Sequence, residues 1–509
     1  MSWLGRFNPT PTFPAYTGPY KVGSVDVETP TSNLSSPHDP SQSPPCPDIP
    51  TVAFRMFYPA KADSNQRGVK WIHNPQREVV SAYAKFLGAG NALASLFSMF
   101  PQTLYFVDIP VHTNAQMLEP PAETKRWPVM VFSHGLGGSR NAYSHICGSL
   151  ASHGIVVVAP EHRDGSAPIS FVHTPDEKEK IRRIGYVKVP HSASTETYEA
   201  RDKQLRTRLW EIGLIHDALL KMDEGVALRM VAEGTSKKSS NDTKLPMFAH
   251  ALNVHEPGAI SFAGHSFGAA TMVQLAKSIY YNPTTHQPPP SYKPLYAPSS
   301  SSPLLKQITP RTPVILLDLW SLPLDSPSTT WLHAKPMPCY ASDNPTGGST
   351  LLAILSEAFF KWTTNLNQTK RVLSKPSSAD PSQPGPHIFY PIHSAHLSQS
   401  DFGVLFPWLT TKVLGAKEPE RVLRLNTRAV LQTLRDAGVK VARTSVKDLE
   451  LEGEKVDEVE DDKEILGTRK DGVRGWVCLS AEVEEEGEKK GDEAKDVGLG
   501  GQAGGVGGV

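Results

Sequence analysis

The chain has 509 residues, with 39% hydrophobic and 20% charged side chains, enough apolar material for a large core; its 45 prolines and 38 glycines put much of the rest in loops. Basic and acidic residues balance at 52 each, but residues 447–496 hold 19 acidic against 9 basic groups, so a mildly basic body carries an acidic tail. No dense Lys/Arg stripe with interleaved aromatics occurs, which argues against a nucleic-acid partner, and four scattered cysteines argue against a disulfide framework and for a reducing, cytoplasmic setting.

The N-terminal "MSWLGRFNPTPTFPAYTGPY" lacks the basic start and continuous apolar run of a secretory signal. "YKVGSVDVE" (20–28) and "TVAFRMFYPA" (51–60) alternate like strands around a Pro/Ser-rich loop at 29–50. Residues 86–107 carry no charge over a bilayer-spanning length, but Gly88, Gly90, Asn91, Ser95, Ser98, Pro101 and Gln102 make a buried or surface-lying helix the better reading than a membrane span. "WPVMVF" ends in the glycine loop "SHGLGG" (133–138); a helix follows over 141–154 and a buried strand over 155–160. Residues 199–233 read as a long amphipathic helix carrying Trp210, Ile212, Leu214, Ile215 and Leu219 on its apolar side. After "GAISFAGHSFGAATMVQLAKSIYY" (258–281) comes a Pro-rich irregular insertion at 281–310. Strands are expected at 312–320 and 335–342, and helices at 350–366 and 418–438. The pattern predicts an α/β fold with a mostly parallel central sheet and helices on both faces, over residues 1–445. Residues 446–509, charged and then Gly-rich, read as a disordered tail.

Gly264-His265-Ser266-Phe267-Gly268 sits between an apolar strand and a helix whose apolar side is Met272, Leu275, Ala276 and Ile279. A serine in such a strand-to-helix turn is exposed at the sheet edge, and flanking glycines keep Cβ atoms out of a strained turn. Ser266 is therefore the candidate nucleophile, and the bland reading is a serine that caps a helix. A serine hydroxyl needs a histidine to take its proton and a carboxylate to orient that histidine. In chain order the acid candidates are Asp318, at the end of an apolar run, and its rivals Asp343 and Asp325; the base is His393 or His396. The His393/His396 spacing lacks a third ligand to make a metal site, and no cofactor motif is present. Backbone N–H groups of Phe267 and Leu136 are the candidate oxyanion donors, with His134 beside them as a structural group.

"VFSHGLGGSR", "ASHGIVVVAPEHRDGSAP", "GHSFGAAT", "LLDLW" and "HSAHLSQSDF", with "RMFYPA", "WIHNP" and "YAKFLG" earlier, resemble the platelet-activating-factor acetylhydrolases of the plasma and cytosolic type II branch, in the family's order from about residue 50 to 410. The resemblance implies an α/β-hydrolase fold with Ser266 as nucleophile, Asp318 as acid, His396 as base, and Leu136 and Phe267 as oxyanion donors. It also implies calcium-independent hydrolysis of short or oxidised sn-2 acyl chains on glycerophospholipids, with no metal or cofactor. His162, Arg163 and Asp164 match a family segment and read as a loop-fixing ion pair. The chain departs from the pattern in the insertion between Ser266 and Asp318 and at Ala89-Gly90-Asn91-Ala92, where a bulky lipid-docking cluster is expected; Leu93, Leu96, Phe97, Met99 and Phe100 are the substitutes for contact with a membrane surface. The competing expectations are a general carboxylesterase or lipase with the same triad and a non-catalytic scaffold binding lipid or protein.

Overall fold

The computed structural model describes residues 10–35, 49–99, 103–174, 181–231, 242–243, 245–283, 286–453, 461–469 and 472–483. Strands β1 (Lys21–Pro30), β2 (Thr51–Ala60), β3 (Trp127–Ser133), β4 (Val156–Pro160), β5 (Ile260–His265), β6 (Val314–Leu317), β7 (Leu351–Ile354), β8 (His387–Pro391) and β9 (Trp476–Cys478) form the main sheet in the order β9-β8-β7-β6-β5-β3-β4-β2-β1. From β8 through β4 neighbouring strands are parallel, β2, β1 and β9 pair antiparallel, and two further short strands pair parallel, His112–Thr113 with β1 and Leu252–Asn253 with β3. The parallel strands are short apolar runs buried on both faces, as a sheet covered by helices on either side requires.

Alternation along each strand divides the core. Val129, Val131, Phe262 and Leu316 face one layer with the helices α4 (Thr195–Asp223) and α5 (Phe267–Tyr280). Met130, Phe132, Ala263 and Leu317 face the other, built from α1 (Gln76–Phe86), α3 (Ser144–Ser152) and α10 (Pro419–Asp436). This is the three-layer α/β arrangement expected from the sequence. Chain order reverses between β3 and β5, so the loops leaving those adjacent strands open a crevice at the sheet's carboxyl edge, where ligands of such sheets bind.

Several expectations are corrected. Residues 335–342 are not a strand: Pro336 and Pro338 lack the N–H that a central strand must donate, and the segment instead turns through a 3₁₀ helix at Pro338–Tyr340. The expected helix at 350–366 begins as strand β7, because Leu351–Ile354 is buried between β6 and β8. Helices α6 (Glu357–Lys361), capped by Ser356, and α7 (Thr363–Leu373) follow it. The uncharged stretch from residue 86 breaks at Gly88, φ 99°, between α1 and α2 (Asn91–Met99); Phe100 lies outside the described residues. No helix among the described residues is long and apolar enough to cross a membrane.

Helix α4 is buried on more than an apolar side, with Arg201, Arg208 and Glu211 also inside. The tail expected from residue 446 is in part packed: β9 adds to β8 with Trp476 stacked on Phe389, and Ile465 is fully buried. Residues 454–460 and 484–509 lie outside the described residues. Most of the 281–310 insertion is irregular, as expected, while 36–48 of the earlier Pro/Ser loop also lies outside the described residues.

Candidate active site

Strand β5 runs into Ser266, whose backbone sits at φ 56°, ψ −117°, a conformation that costs a non-glycine residue about 1–3 kcal/mol. Neighbouring structure holds it there. The Ser266 N–H donates to Leu317 O (2.8 Å) and its carbonyl accepts from Ala270 N–H (3.1 Å). Both flanking glycines are needed for space: a Cβ on Gly264 would lie 2.4 Å from the Gly268 backbone, and one on Gly268 only 2.0 Å from Ser133 O. The hydroxyl is buried and hydrogen-bonded to no protein group.

Asp318 follows β6 on the neighbouring strand, with φ 43° and its N–H on Ile354 O (2.8 Å). Its carboxylate is wholly buried. Oδ2 accepts from His396 Nδ1 (2.8 Å), Oδ1 accepts from Ser356 N–H, and His265 Nε2 lies 3.8 Å from Oδ2. Burial alone would raise this carboxyl, but the His265 and His396 N–H groups outweigh it and hold the group below the ordinary carboxylate range. The His396 imidazole opens a 3₁₀ turn, Phe359 stacks on one face (4.6 Å, 9°) and His265 packs on the other (4.3 Å, 32°). Since His265 directly precedes Ser266, the imidazole, carboxylate and hydroxyl are gathered at one edge of the sheet.

The rival residues are elsewhere. Asp343 is exposed and acts on Tyr280 at the far end of α5, about 20 Å along the helix from Ser266. Asp325 is exposed, and His393 stands at the surface beside Glu357 (3.8 Å), so the two histidines of "HSAH" share no site. His265, Asp318 and His396 do present ligand atoms within 4.8 Å of one another, grouped by the His396–Asp318 hydrogen bond and by the packing of the His265 ring on His396.

The loop after β3 lies against Ser266: a Cβ on Gly135 would be 3.0 Å from Ser266 Cβ. Gly135 N–H donates to Tyr143 Oη (3.2 Å), Gly137 N–H to Ser166 O (2.8 Å) and Gly138 N–H to Gly135 O (3.1 Å), which leaves the Leu136 N–H free of internal partners among the described hydrogen bonds. Phe267 N–H heads α5, where a helix leaves its donors unpaired and the dipole favours negative charge.

The "EHRD" segment does more than form one ion pair. His162 bridges Ser133 Oγ (2.9 Å) and Glu211 Oε2 (2.8 Å). Arg163 pairs with Glu28 (3.1 Å), and Asp164 with Arg208 (2.7 Å), whose Nη1 reaches His134 O (2.7 Å). Ser133-His162-Glu211 thus repeats serine–histidine–acid connectivity. All three are sealed in the interior, where burial pushes Glu211 up to about 8 and His162 well below its ordinary value, so this set braces the loop and meets no substrate. His134 is likewise structural, bonded to Gly135 O (2.9 Å) and accepting from His162 N–H. Sequence reasoning missed Tyr143, His265, Ser356 and Phe359; only His265 carried a signal, lying inside the quoted pentapeptide.

A family model described as "Platelet-activating factor acetylhydrolase, isoform II" matches residues 6–455. The chain is 29% identical over 474 residues to the Schizosaccharomyces pombe protein named "Putative phospholipase A2", an alignment covering 84% of this chain and 93% of that protein. It is 31% identical over 266 residues to the "Platelet-activating factor acetylhydrolase" of Cavia porcellus, covering 52% of each. A solved "Ferulic acid esterase from Streptomyces cinnamoneus" superposes with a TM-score of 0.43 at 14% identity, over 84% of this chain and 93% of that one.

Proposed function

The chain belongs to the platelet-activating factor acetylhydrolase, isoform II, family, and from that premise we propose that it is a serine esterase cleaving short or oxidised sn-2 acyl chains from glycerophospholipids. The observation that carries the reading is the strained Ser266 backbone beside a buried Asp318–His396 pair. In this scheme His396 Nδ1–H stays on Asp318, which leaves Nε2 to accept the Ser266 proton as Oγ attacks the sn-2 carbonyl. Leu136 and Phe267 N–H groups receive the oxyanion. His396 then returns the proton to the departing lysophospholipid hydroxyl as the C–O bond breaks. A water, deprotonated by the same imidazole, attacks the acyl-enzyme, and the acid leaves as Ser266 regains its proton. No metal or other cofactor takes part in this scheme.

Access to lipid is supported by an apolar surface. Leu93 (62% exposed), Leu96 and Met99 project from α2, and Trp408 (72%) and Val413 from α9 (Pro407–Leu414), which follows α8 (Asp401–Leu405). Phe402 and Phe406 pack on Trp71, which stacks on Tyr83 of α1, and Phe86 of α1 covers Gly137 of the oxyanion loop, so α1, which α2 follows, connects that loop to the aromatic cluster leading into α9. These residues take the docking role that Ala89–Ala92 lack, with a phospholipid surface as partner. The free thiols of Cys147, Cys339 and Cys478 support a cytoplasmic setting.

The test is fluorophosphonate labelling of Ser266 followed by a substrate panel. The proposal expects labelling that Ser266→Ala abolishes, and hydrolysis of sn-2 acetyl phosphocholine preferred over p-nitrophenyl esters and over long-chain sn-2 esters. Preference for the simple esters would instead mark a general carboxylesterase, and an unlabelled, inactive protein would mark a scaffold.

A further inference from the structure

Behind Ser266 a second imidazole occupies a position that the scheme above leaves without a task. His265 is buried, and its Nδ1 lies 2.7 Å from Tyr143 Oη. Tyr143 Oη already accepts the Gly135 N–H, so its own proton goes to the remaining partner, His265 Nδ1. That makes Nδ1 an acceptor and places the ring proton on Nε2, because burial keeps this histidine neutral, with its pKa lowered to about 4. Nε2 has no hydrogen-bond partner and faces Asp318 Oδ2 at 3.8 Å, while the ring covers one face of His396.

A directed hydrogen-bond chain therefore runs from the Gly135 N–H, next to the Leu136 donor, through the Tyr143 hydroxyl to the His265 ring, which packs on His396 and faces Asp318 across 3.8 Å. We infer that Tyr143 and His265 are positioning residues that hold the oxyanion loop in register with the acid–base pair. The inference rests on the proposed roles of Ser266, Asp318, His396 and Leu136. Neither residue reaches the reacting atoms. Tyr143 holds the His134–Gly135 peptide, one residue before the Leu136 N–H, and His265 fixes the plane of His396 between itself and Phe359. Because the two are joined by one hydrogen bond and His265 packs on His396, they act in series, and removing either disconnects the loop from the acid–base pair.

The experiment compares Tyr143→Phe, His265→Phe, His265→Gln and the Tyr143→Phe/His265→Phe double variant on a water-soluble acetyl ester. Thermal denaturation selects the variants that fold like wild type. Each Phe variant is expected to lower kcat about 10- to 30-fold, less than deletion of a direct oxyanion donor, with KM within about twofold. The double variant is expected to fall no lower than the poorer single one, since coupled residues are not additive. His265→Gln, which offers an amide N–H near Nε2, is expected to recover part of the loss. Multiplying losses in the double variant, a rise in KM at constant kcat, or folded single variants within threefold of wild-type kcat would each overturn the inference. If instead Ser266→Ala retains turnover, the reading of the site fails and takes this inference with it, whereas intact Ser266 dependence with unaffected Tyr143 and His265 variants removes this inference alone.

Discussion

Gly268→Ala is a one-methyl test of the geometry around Ser266. The added Cβ would lie 2.0 Å from Ser133 O, 2.6 Å from Ser133 C and 2.8 Å from His134 O. Backbone atoms line the contact, so no side chain can swing aside. Relief to an ordinary separation needs the first turn of α5 and the end of β3 to part by about 1 Å, at a stability cost of about 1–3 kcal/mol for overpacking. Those two elements carry the proposed donors, Phe267 N–H and Leu136 N–H, and a misplacement of about 1 Å is worth about 100-fold in rate. The expected result is a kcat/KM on an sn-2 acetyl substrate about 100-fold below wild type, with a melting temperature a few degrees lower. Gly185→Ala is the control: nothing lies within 4 Å of its added methyl group, and activity should stay within twofold. A folded Gly268→Ala enzyme with wild-type kcat/KM would refute the claim that this close approach sets the donor spacing.

Asp318→Asn should lower kcat by about 10⁴-fold, since the amide leaves His396 in the wrong tautomer, while Asp343→Asn should change it less than twofold; steady-state kinetics decides, and the reverse order would make Asp343 the acid. Buried Glu211, pushed up to about 8, stays protonated in the folded protein below that pH, whereas the unfolded chain loses the proton above about pH 4.3, so the native state binds the extra proton between those values. Its contribution is fully present below about pH 4.3 and declines as pH rises towards 8, at no more than about 1.4 kcal/mol per pH unit; denaturant melts should show Glu211→Gln with the flatter profile, and equal slopes would contradict the assignment. Leu93→Asp/Leu96→Asp should lower hydrolysis of vesicle-borne substrate at least about fivefold and leave a soluble ester unaffected, since each substitution removes an exposed leucine's apolar area from the lipid contact; equal effects on both substrates would count against docking through α2.

How much of this was legible in the sequence depended on how local each determinant is. The turn at Ser266 was readable because strand, glycines and helix are contiguous, and the glycine requirement is steric within that stretch. Choosing Asp318 over Asp343, or His396 over His393, was beyond the residues alone and came from the family resemblance, because the choice is made by which strand ends adjoin: β6 lies next to β5. Leu351–Ile354 looked like the start of an apolar helix since only its two flanking strands impose extended backbone on it. Trp476–Cys478 was hidden in a charged segment, although three residues pairing with β8 and one stacked tryptophan suffice to dock it. Tyr143 gave no signal, as its partners are 8 and 122 residues away.

The central claim is a covalent intermediate on one hydroxyl, and the most direct measurement is acid-quenched turnover of an sn-2 acetyl phospholipid followed by peptide mass spectrometry. The account predicts an acetyl group on Ser266 within the 258–281 segment, enriched in a slow-deacylating enzyme and absent from Ser266→Ala. An acetyl group on another residue, such as Ser133 of the buried Ser133-His162-Glu211 set, or turnover that persists in Ser266→Ala, would contradict it.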